Sequence, residues 1–307
     1  MYGINHSDAN DCEAQNQRTK YMSSQRPRSL EQNVTARAPI EPSPRNAATI
    51  FVAIPAFRDP ECQRTIANLF AQAKEPERIH VGICAQYSWD EDSTSCFVEP
   101  VPRPTQVKIL RLDAADARGP SWARYLTQKL YDGEAYYLQI DSHTRFTKDW
   151  DDQLIGFHSQ CVKISSHGKA IITSYPAGYS LSSGEQVSLD ERPTILRATT
   201  FDDDGFLRLK STIVEAVQDS CPQQDAKCVR SLFWAAGFAF TSGSAIADCP
   251  YDPHHKSLFF GEEQCMSARL WTHGYDFYAP PKQVTSCDQE RRFTLCRCVE
   301  VVVFTHM

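Results

Sequence analysis

"YYLQIDSHTRF", residues 136–146, decides how the rest of the chain is read. Residues 136–140 are aromatic or aliphatic apart from Gln139, as in a strand covered on both faces. The run then delivers Asp141, Ser142 and His143 in succession. In an open α/β sheet, ligands sit outside the carboxyl ends of the strands, so this is where a site would form. Two-residue alternation lets Asp141 and His143 project to one side, with Ser142 turned away. A carboxylate and an imidazole suit a borderline ion such as Mn2+ better than Ca2+, which takes oxygen ligands. The same residues would also serve as an Asp-Ser turn satisfied by His143, and residue chemistry alone leaves both readings open. Asp90/Asp92, Asp149/Asp151 and Asp202/Asp204 repeat the D-x-D spacing in a Ser/Thr-rich loop, a predicted helix and a polar segment. Only Asp141 follows a strongly apolar strand.

Working outward, "TIFVAIPAF" is another apolar, β-branched run. Asp59 then caps a predicted helix that has Pro60 at its first position, Ile66, Leu69, Phe70 and Ala73 on its inner face, and Pro76 at its end. "IHVGICAQ" and "VKILRL" read as strands, and "GPSWARYLTQKLYDG" as a helix with Trp122, Leu126 and Leu130 four apart. Beyond the central stretch come a helix ("KDWDDQLIGFHSQCVKI"), a strand ("KAIITSYPA"), a polar segment at 179–230 without assignable pattern, and an apolar "SLFWAAGFAF". A helix packing Met266 and Leu270 and the strand "YDFYAP" follow. This rhythm predicts an α/β fold with a Rossmann-like, mostly parallel central sheet flanked by helices.

The predicted organisation is a disordered tail at 1–46, one domain at 47–283, and an atypical segment at 284–307 that ends in the β-prone run "VEVVVF". With 41% hydrophobic residues the chain can bury a sizeable core, and a net charge of -6 gives no basic field for nucleic acid. No apolar run approaches a membrane span and no signal-peptide core is present, so the expectation is a cytoplasmic protein without a membrane partner. The twelve cysteines contain no C-x-x-C pair and read as reduced packing residues. Cys221 and Cys228 would pair only in an oxidising compartment.

Arg58 directly follows the first strand, and Arg118 and Arg124 flank a helix start, where backbone N–H groups also favour an anion. With a metal they would neutralise a diphosphate; individually each also reads as a solvated surface arginine. Gly261 precedes Glu262 and Glu263, which either complement the helix dipole or grip sugar hydroxyls and assist proton transfer. Trp234, Phe238 and Trp271 read as core or as a wall beside a sugar.

In order, "IFVAIPAFRDPECQRTI", "RIHVGICAQ", "ARGPSWAR", "YYLQIDSHTRFTKDWD", "AIITSYP" and "FFGEEQCMSARLWTHGYDFYAP" resemble the cytosolic protein-hydroxyproline N-acetylglucosaminyltransferases over about residues 48–281. A more distant similarity reaches the polypeptide N-acetylgalactosaminyltransferases, which also carry Asp-Ser-His after a core strand. The resemblance implies a GT-A fold and a retaining transfer of N-acetylglucosamine from UDP-GlcNAc to a protein hydroxyl, a hydroxyproline on the adaptor subunit of SCF-type ubiquitin ligases. It implies that Asp141 and His143 hold a divalent metal, Mn2+ in preference to Mg2+, and with it the diphosphate. Ala56, Phe57, Arg58 and Gln86 would lie against the nucleotide, Arg118 and Arg124 along phosphate and ribose, and Ser142 and Trp271 within the nucleotide-sugar site. Glu262 and Glu263 would face the donor sugar and, with Asp141, make up the catalytic set; Trp271 and His273 would support the acceptor side or the catalytic loop.

The family supplies a further metal-binding histidine after the strand equivalent to "YDFYAP". Here Cys287 or Asp288 stands at that place, Asp288 as an oxygen donor that completes the expected set Asp141, His143, Asp288, and Cys287 as a softer one. That departure sustains a second reading, a GT-A pseudoenzyme that binds a nucleotide-sugar or a protein partner without turnover.

Overall fold

The structure, a computed structural model, describes residues 48–89, 97–179, 192–214, 228–258 and 260–288. The predicted tail, Cys221, Asp90/Asp92 and "VEVVVF" lie outside the described residues.

Strand β1 (Ile50–Phe57) leads into helix α1 (Glu61–Gln72), then β2 (Ile79–Tyr87) and β3 (Val107–Asp113). Helix α2 (Pro120–Gln128) precedes β4 (Tyr136–Ile140), the short β5 (Thr144–Phe146) and helix α3 (Trp150–Ile164). Strands β6 (Ala170–Thr173), β7 (Ala177–Tyr179), β8 (Thr194–Phe201), β9 (Leu207–Ile213), β10 (Val229–Ser231) and β11 (Phe238–Ser242) follow. The short helix α4 (Ala245–Asp248), α5 (Glu262–Thr272), β12 (Asp276–Ala279) and β13 (Thr285–Asp288) complete the described chain.

The main sheet has eight strands in the order β10-β12-β6-β11-β4-β1-β2-β3. The β1–β2, β2–β3, β1–β4 and β6–β12 pairs are parallel, as expected for a mostly parallel sheet. Strand β11 is inserted antiparallel to both β4 and β6, and β10 runs antiparallel to β12 at one edge. The uninterrupted apolar reading of β1 follows from burial on both faces. Ile50, Val52 and Ile54 pack in one cluster with Ile66 and Leu69 of α1 and Trp150 and Leu154 of α3. Phe51 and Ala53 point the other way, into a cluster with Tyr137 and Leu130 just beyond α2. Each fully buried aliphatic side chain of this kind stabilises the fold by about 1.5–3 kcal/mol relative to exposure.

A second sheet of three short strands, β5-β13-β7, sits at the site end of β4. Strand β13 pairs antiparallel with β5, Cys287 opposite Thr144, and parallel with β7. The polar segment at 179–230 contains the antiparallel hairpin β8–β9, with a register shift between Ala198 and Phe201, a pair without a clear period in the sequence. Asp202 and Asp204 fall in its turn, where the Asp202 carboxylate accepts the Phe206 N–H at 2.8 Å. Asp151 is equally structural: fully buried, its carboxylate accepts the N–H groups of Lys74 (2.7 Å) and Glu75 (3.0 Å) and pairs with Arg78 at 2.6 Å. Cys228 lies beside Cys161 rather than in a disulfide, and both are free thiols. Among the described residues, no helix is long and apolar enough to cross a membrane.

His158 of α3 is buried edge-on against Tyr136 and Phe240, and its Nε2–H donates to the Ala170 carbonyl at 3.1 Å. Burial holds its pKa down to about 4, against the carbonyl contact, which works to raise it. The unfolded chain takes a proton near pH 6.5 that the folded chain refuses until about pH 4, so stability is lost as pH falls through that window. Going from pH 7 to pH 5, denaturant melts should lose about 2 kcal/mol through this residue, and a His158→Gln variant should lose much less over the same interval.

Candidate active site

The site is built on the β1–α1 junction, the end of β4 and the strand β13. Asp59 closes β1 and begins α1; its Oδ1 accepts the Glu61 N–H at 3.0 Å, satisfying a donor at the helix start. Its Oδ2 accepts from Ser142 Oγ at 2.6 Å and from His143 Nδ1–H at 2.9 Å. Thr65 of α1 fixes the same turn from the other side, donating to the Ser142 carbonyl at 2.6 Å and accepting the Thr144 N–H at 3.0 Å. Burial works to raise the Asp59 pKa, but His143, Ser142 and the Glu61 N–H outweigh it and keep the carboxylate ionised.

With Nδ1 engaged, His143 presents Nε2, which is buried without a hydrogen-bond partner. Asp141, His143 and Cys287 bring one ligand atom each within 4.8 Å of one another. Asp288, the expected third ligand, is not in this group; its N–H donates to the His143 carbonyl at 3.2 Å and so fixes β13 against the turn. The orphaned Nε2, together with a carboxylate and a thiol, fits a divalent ion. Gly237 makes room for the Asp141 carboxylate, because a Cβ there would stand 2.6 Å from Asp141 Oδ2. Burial works to lower the His143 pKa, yet the Asp59 hydrogen bond and the neighbouring Cys287 and Asp141 hold it up, to about 11. The Cys287 sulfur thus acts on the ring's charge without a well-aligned hydrogen bond to Nε2. Surroundings that favour a proton at Nε2 also favour a metal cation.

Behind the turn runs a buried polar chain. Arg124 of α2 places Nη2 3.1 Å from Asp141 Oδ1 and Nε 2.9 Å from Glu262 Oε1. Glu262 accepts the Tyr251 hydroxyl at 2.7 Å, and Gln139 Nε2 donates to Tyr251 at 3.2 Å and to the Ala236 carbonyl at 2.8 Å. Burial opposes the Arg124 charge but Glu262, Tyr251 and Asp141 more than restore it; the Glu262 pKa is raised by burial, which Arg124 only partly offsets. Glu262 is therefore enclosed, whereas Glu263 is half-buried, its Oε1 accepting the Ala236 N–H at 3.0 Å and its Oε2 accepting the Tyr175 hydroxyl. The turn into α5 needs Gly261, whose φ is +97°.

The other predicted residues fall at different depths. Ala56 is buried on β1, Phe57 half-buried, and Arg58 exposed in a left-handed conformation with its N–H on the Gln86 carbonyl at 2.7 Å. Gln86 is buried with Oε1 lacking a partner. Arg118 is exposed and lies over the Trp122 ring, and Trp271 is 67% exposed on the last turn of α5, next to the exposed His273. Trp234 and Phe238 belong to the core. Sequence reading assigned Asp59 only as a helix cap; nothing in "FRDPE" announces that its carboxylate also carries His143.

A family model described as Glycosyltransferase (GlcNAc) matches residues 49–104 and 95–292. No curated protein sequence matches the chain. Among solved structures, the crystal structure of GalNAc-T7 with UDP, GalNAc and Mn2+ is similar at 12% identity and a TM-score of 0.53, over 80% of this chain and 44% of that one. TarS 1–349 of S. aureus in complex with UDP-GlcNAc is similar at 13% identity and a TM-score of 0.48, over 78% of this chain and 58% of that one. The chain thus spans about half the length of these solved relatives, and the likeness to the first is one of fold. With a GT-A fold and a family match running from residue 49 to residue 292, the chain belongs to the Glycosyltransferase (GlcNAc) family.

Proposed function

We propose that this protein is a metal-dependent transferase that moves N-acetylglucosamine from UDP-GlcNAc to a hydroxyl of a protein acceptor. The observation that carries this reading is the convergence of Asp141 and His143, with a third donor on β13, outside the carboxyl end of a central strand. Family membership supports the sugar. The ordered motif resemblance supports hydroxyproline as acceptor, retention at the anomeric carbon, the SCF adaptor subunit as partner and a cytoplasmic setting.

A divalent ion held by Asp141 and His143 would neutralise the diphosphate and stabilise departing UDP; the imidazole favours Mn2+ over Mg2+. Arg124 adds fixed positive charge, and its buried Nη1, which makes no hydrogen bond, is a donor for a phosphate oxygen. Gln86 Oε1 suits the imide N–H of uracil, with Phe57 beside it across the β1–β2 pair. Arg58 and Arg118 reach the nucleotide from the rim. Glu263, oriented by Ala236 and Tyr175, accepts a donor-sugar hydroxyl, while Glu262 positions Arg124. This division gives the two adjacent acids different tasks.

The test is a screen of UDP-sugars with divalent ions, reading UDP release with and without a hydroxyproline peptide. UDP-GlcNAc with Mn2+ should be turned over, and Asp141→Asn should slow it about 100-fold or more. Full activity in that variant removes the metal role, and tight UDP binding without transfer assigns the chain to the binding-only reading. Asp59→Asn leaves the metal donors in place but frees the His143 ring; calorimetry should show metal affinity weakened about 10- to 100-fold.

A further inference from the structure

We infer that Cys287 binds the cation as a thiolate, so that Asp141, His143 and Cys287 form a one-oxygen, one-nitrogen, one-sulfur site suited to Zn2+ or Co2+. The inference deepens the proposed function, because the cation concerned is the one that would hold the diphosphate.

Three observations lead there. The Asp141, His143 and Cys287 ligand atoms lie within 4.8 Å of one another, close enough for one ion to take all three. His143 is 3% exposed, its Nδ1 is taken by Asp59, and its remaining nitrogen is buried with no partner, so the ring is built to give Nε2 to something. Cys287 is also 3% exposed and sits at the centre of the three-stranded sheet, paired with Thr144 on one side and Gly178 on the other. Its backbone is therefore held in place on both sides, and the Asp288 N–H to His143 carbonyl bond ties the strand to the residue whose ring it must meet.

Ligand chemistry decides the class of ion. Thiolate sulfur is a soft donor that favours Zn2+ and its neighbours in the first transition row over Mn2+ and Mg2+, which prefer oxygen. Three protein donors with one position left for the diphosphate match the coordination of a catalytic zinc site. Binding exchanges two protons for the metal, one from the Cys287 thiol and one from His143 Nε2, so that a single Cys–S–M+ unit forms and two H+ leave, with no change of oxidation state. The two anionic donors then cancel the ion's double charge, which leaves the diphosphate to be balanced by Arg124 and the arginines at the rim.

Any such site binds Zn2+ more tightly than Mn2+, so preference alone proves nothing; its dependence on the sulfur does. The full chain, cleared of metal with a chelator, is titrated with Co2+ alone and followed by absorbance. A thiolate-to-cobalt charge-transfer band in the near ultraviolet, saturating at one equivalent and absent in Cys287→Ser, is the expected result; the variant is needed because the chain has twelve cysteines. In competition, Cys287→Asp, a second variant that keeps a third ligand, should lower the Zn2+-over-Mn2+ ratio at least about tenfold. An unchanged cobalt spectrum in Cys287→Ser, or an unchanged ratio in Cys287→Asp, overturns the inference. If the band is absent while UDP release still depends on Asp141, the thiolate falls and the transferase reading stands. If the band appears but no ion supports UDP release, the thiolate stands and the transferase reading falls.

Discussion

Everything at the site end of the sheet hangs on the carboxylate of Asp59. It is 1% exposed, yet it binds a helix N–H, a serine hydroxyl and an imidazole at once. A buried carboxylate without such partners would cost several kcal/mol, so the folded state holds it only where all three donors converge. That requirement fixes the β4–β5 turn against α1 and leaves His143 a single orientation. Which ring nitrogen is left open, Nε2, is thus chosen by the carboxylate that engages the other one.

Arg124 plays the corresponding part on the other flank. A guanidinium between Asp141 and Glu262 gains from both and is desolvated by burial, a balance that seldom adds much stability but defines geometry. Its effect is to hold the Asp141 carboxylate in place, while the Tyr251–Gln139 relay extends the order into the middle of β4. The inner part of the site is thus tied together by buried polar contacts, while Glu263, Asp141 and the rim arginines stand nearer to solvent.

The sequence made the central strands and helices legible because burial on both faces leaves long apolar runs, as in "IFVAIPAF" and "YYLQI". The D-x-D-like spacing of Asp141 and His143 recurs at residues with structural tasks. Asp151 anchors the chain after α1 and Asp202 closes a hairpin, and neither follows a buried strand. Strand β13 was not legible: "TSCD" has no apolar alternation, and it is buried because β5 and β7 flank it rather than because of its own side chains. Neighbouring residues on a strand point to opposite faces, so choosing between Cys287 and Asp288 required a register that only the folded pairing supplies. The β8–β9 hairpin escaped notice for a related reason, since two largely exposed strands carry little hydrophobic signal.

The site also has a place in the order of folding. The Asp59–His143 bond spans 84 residues of chain, and the strand that brings in Cys287 pairs with β5 from the far end of the described sequence. Closing such long loops is entropically costly, and a small three-stranded sheet repays little of that cost alone. β13 is nevertheless fully buried and paired on both sides, so its place in the fold is set by register with β5 and β7 and not by chain neighbours. Two of the three clustered donors come from a single turn after β4, and the third is brought to them from far along the chain.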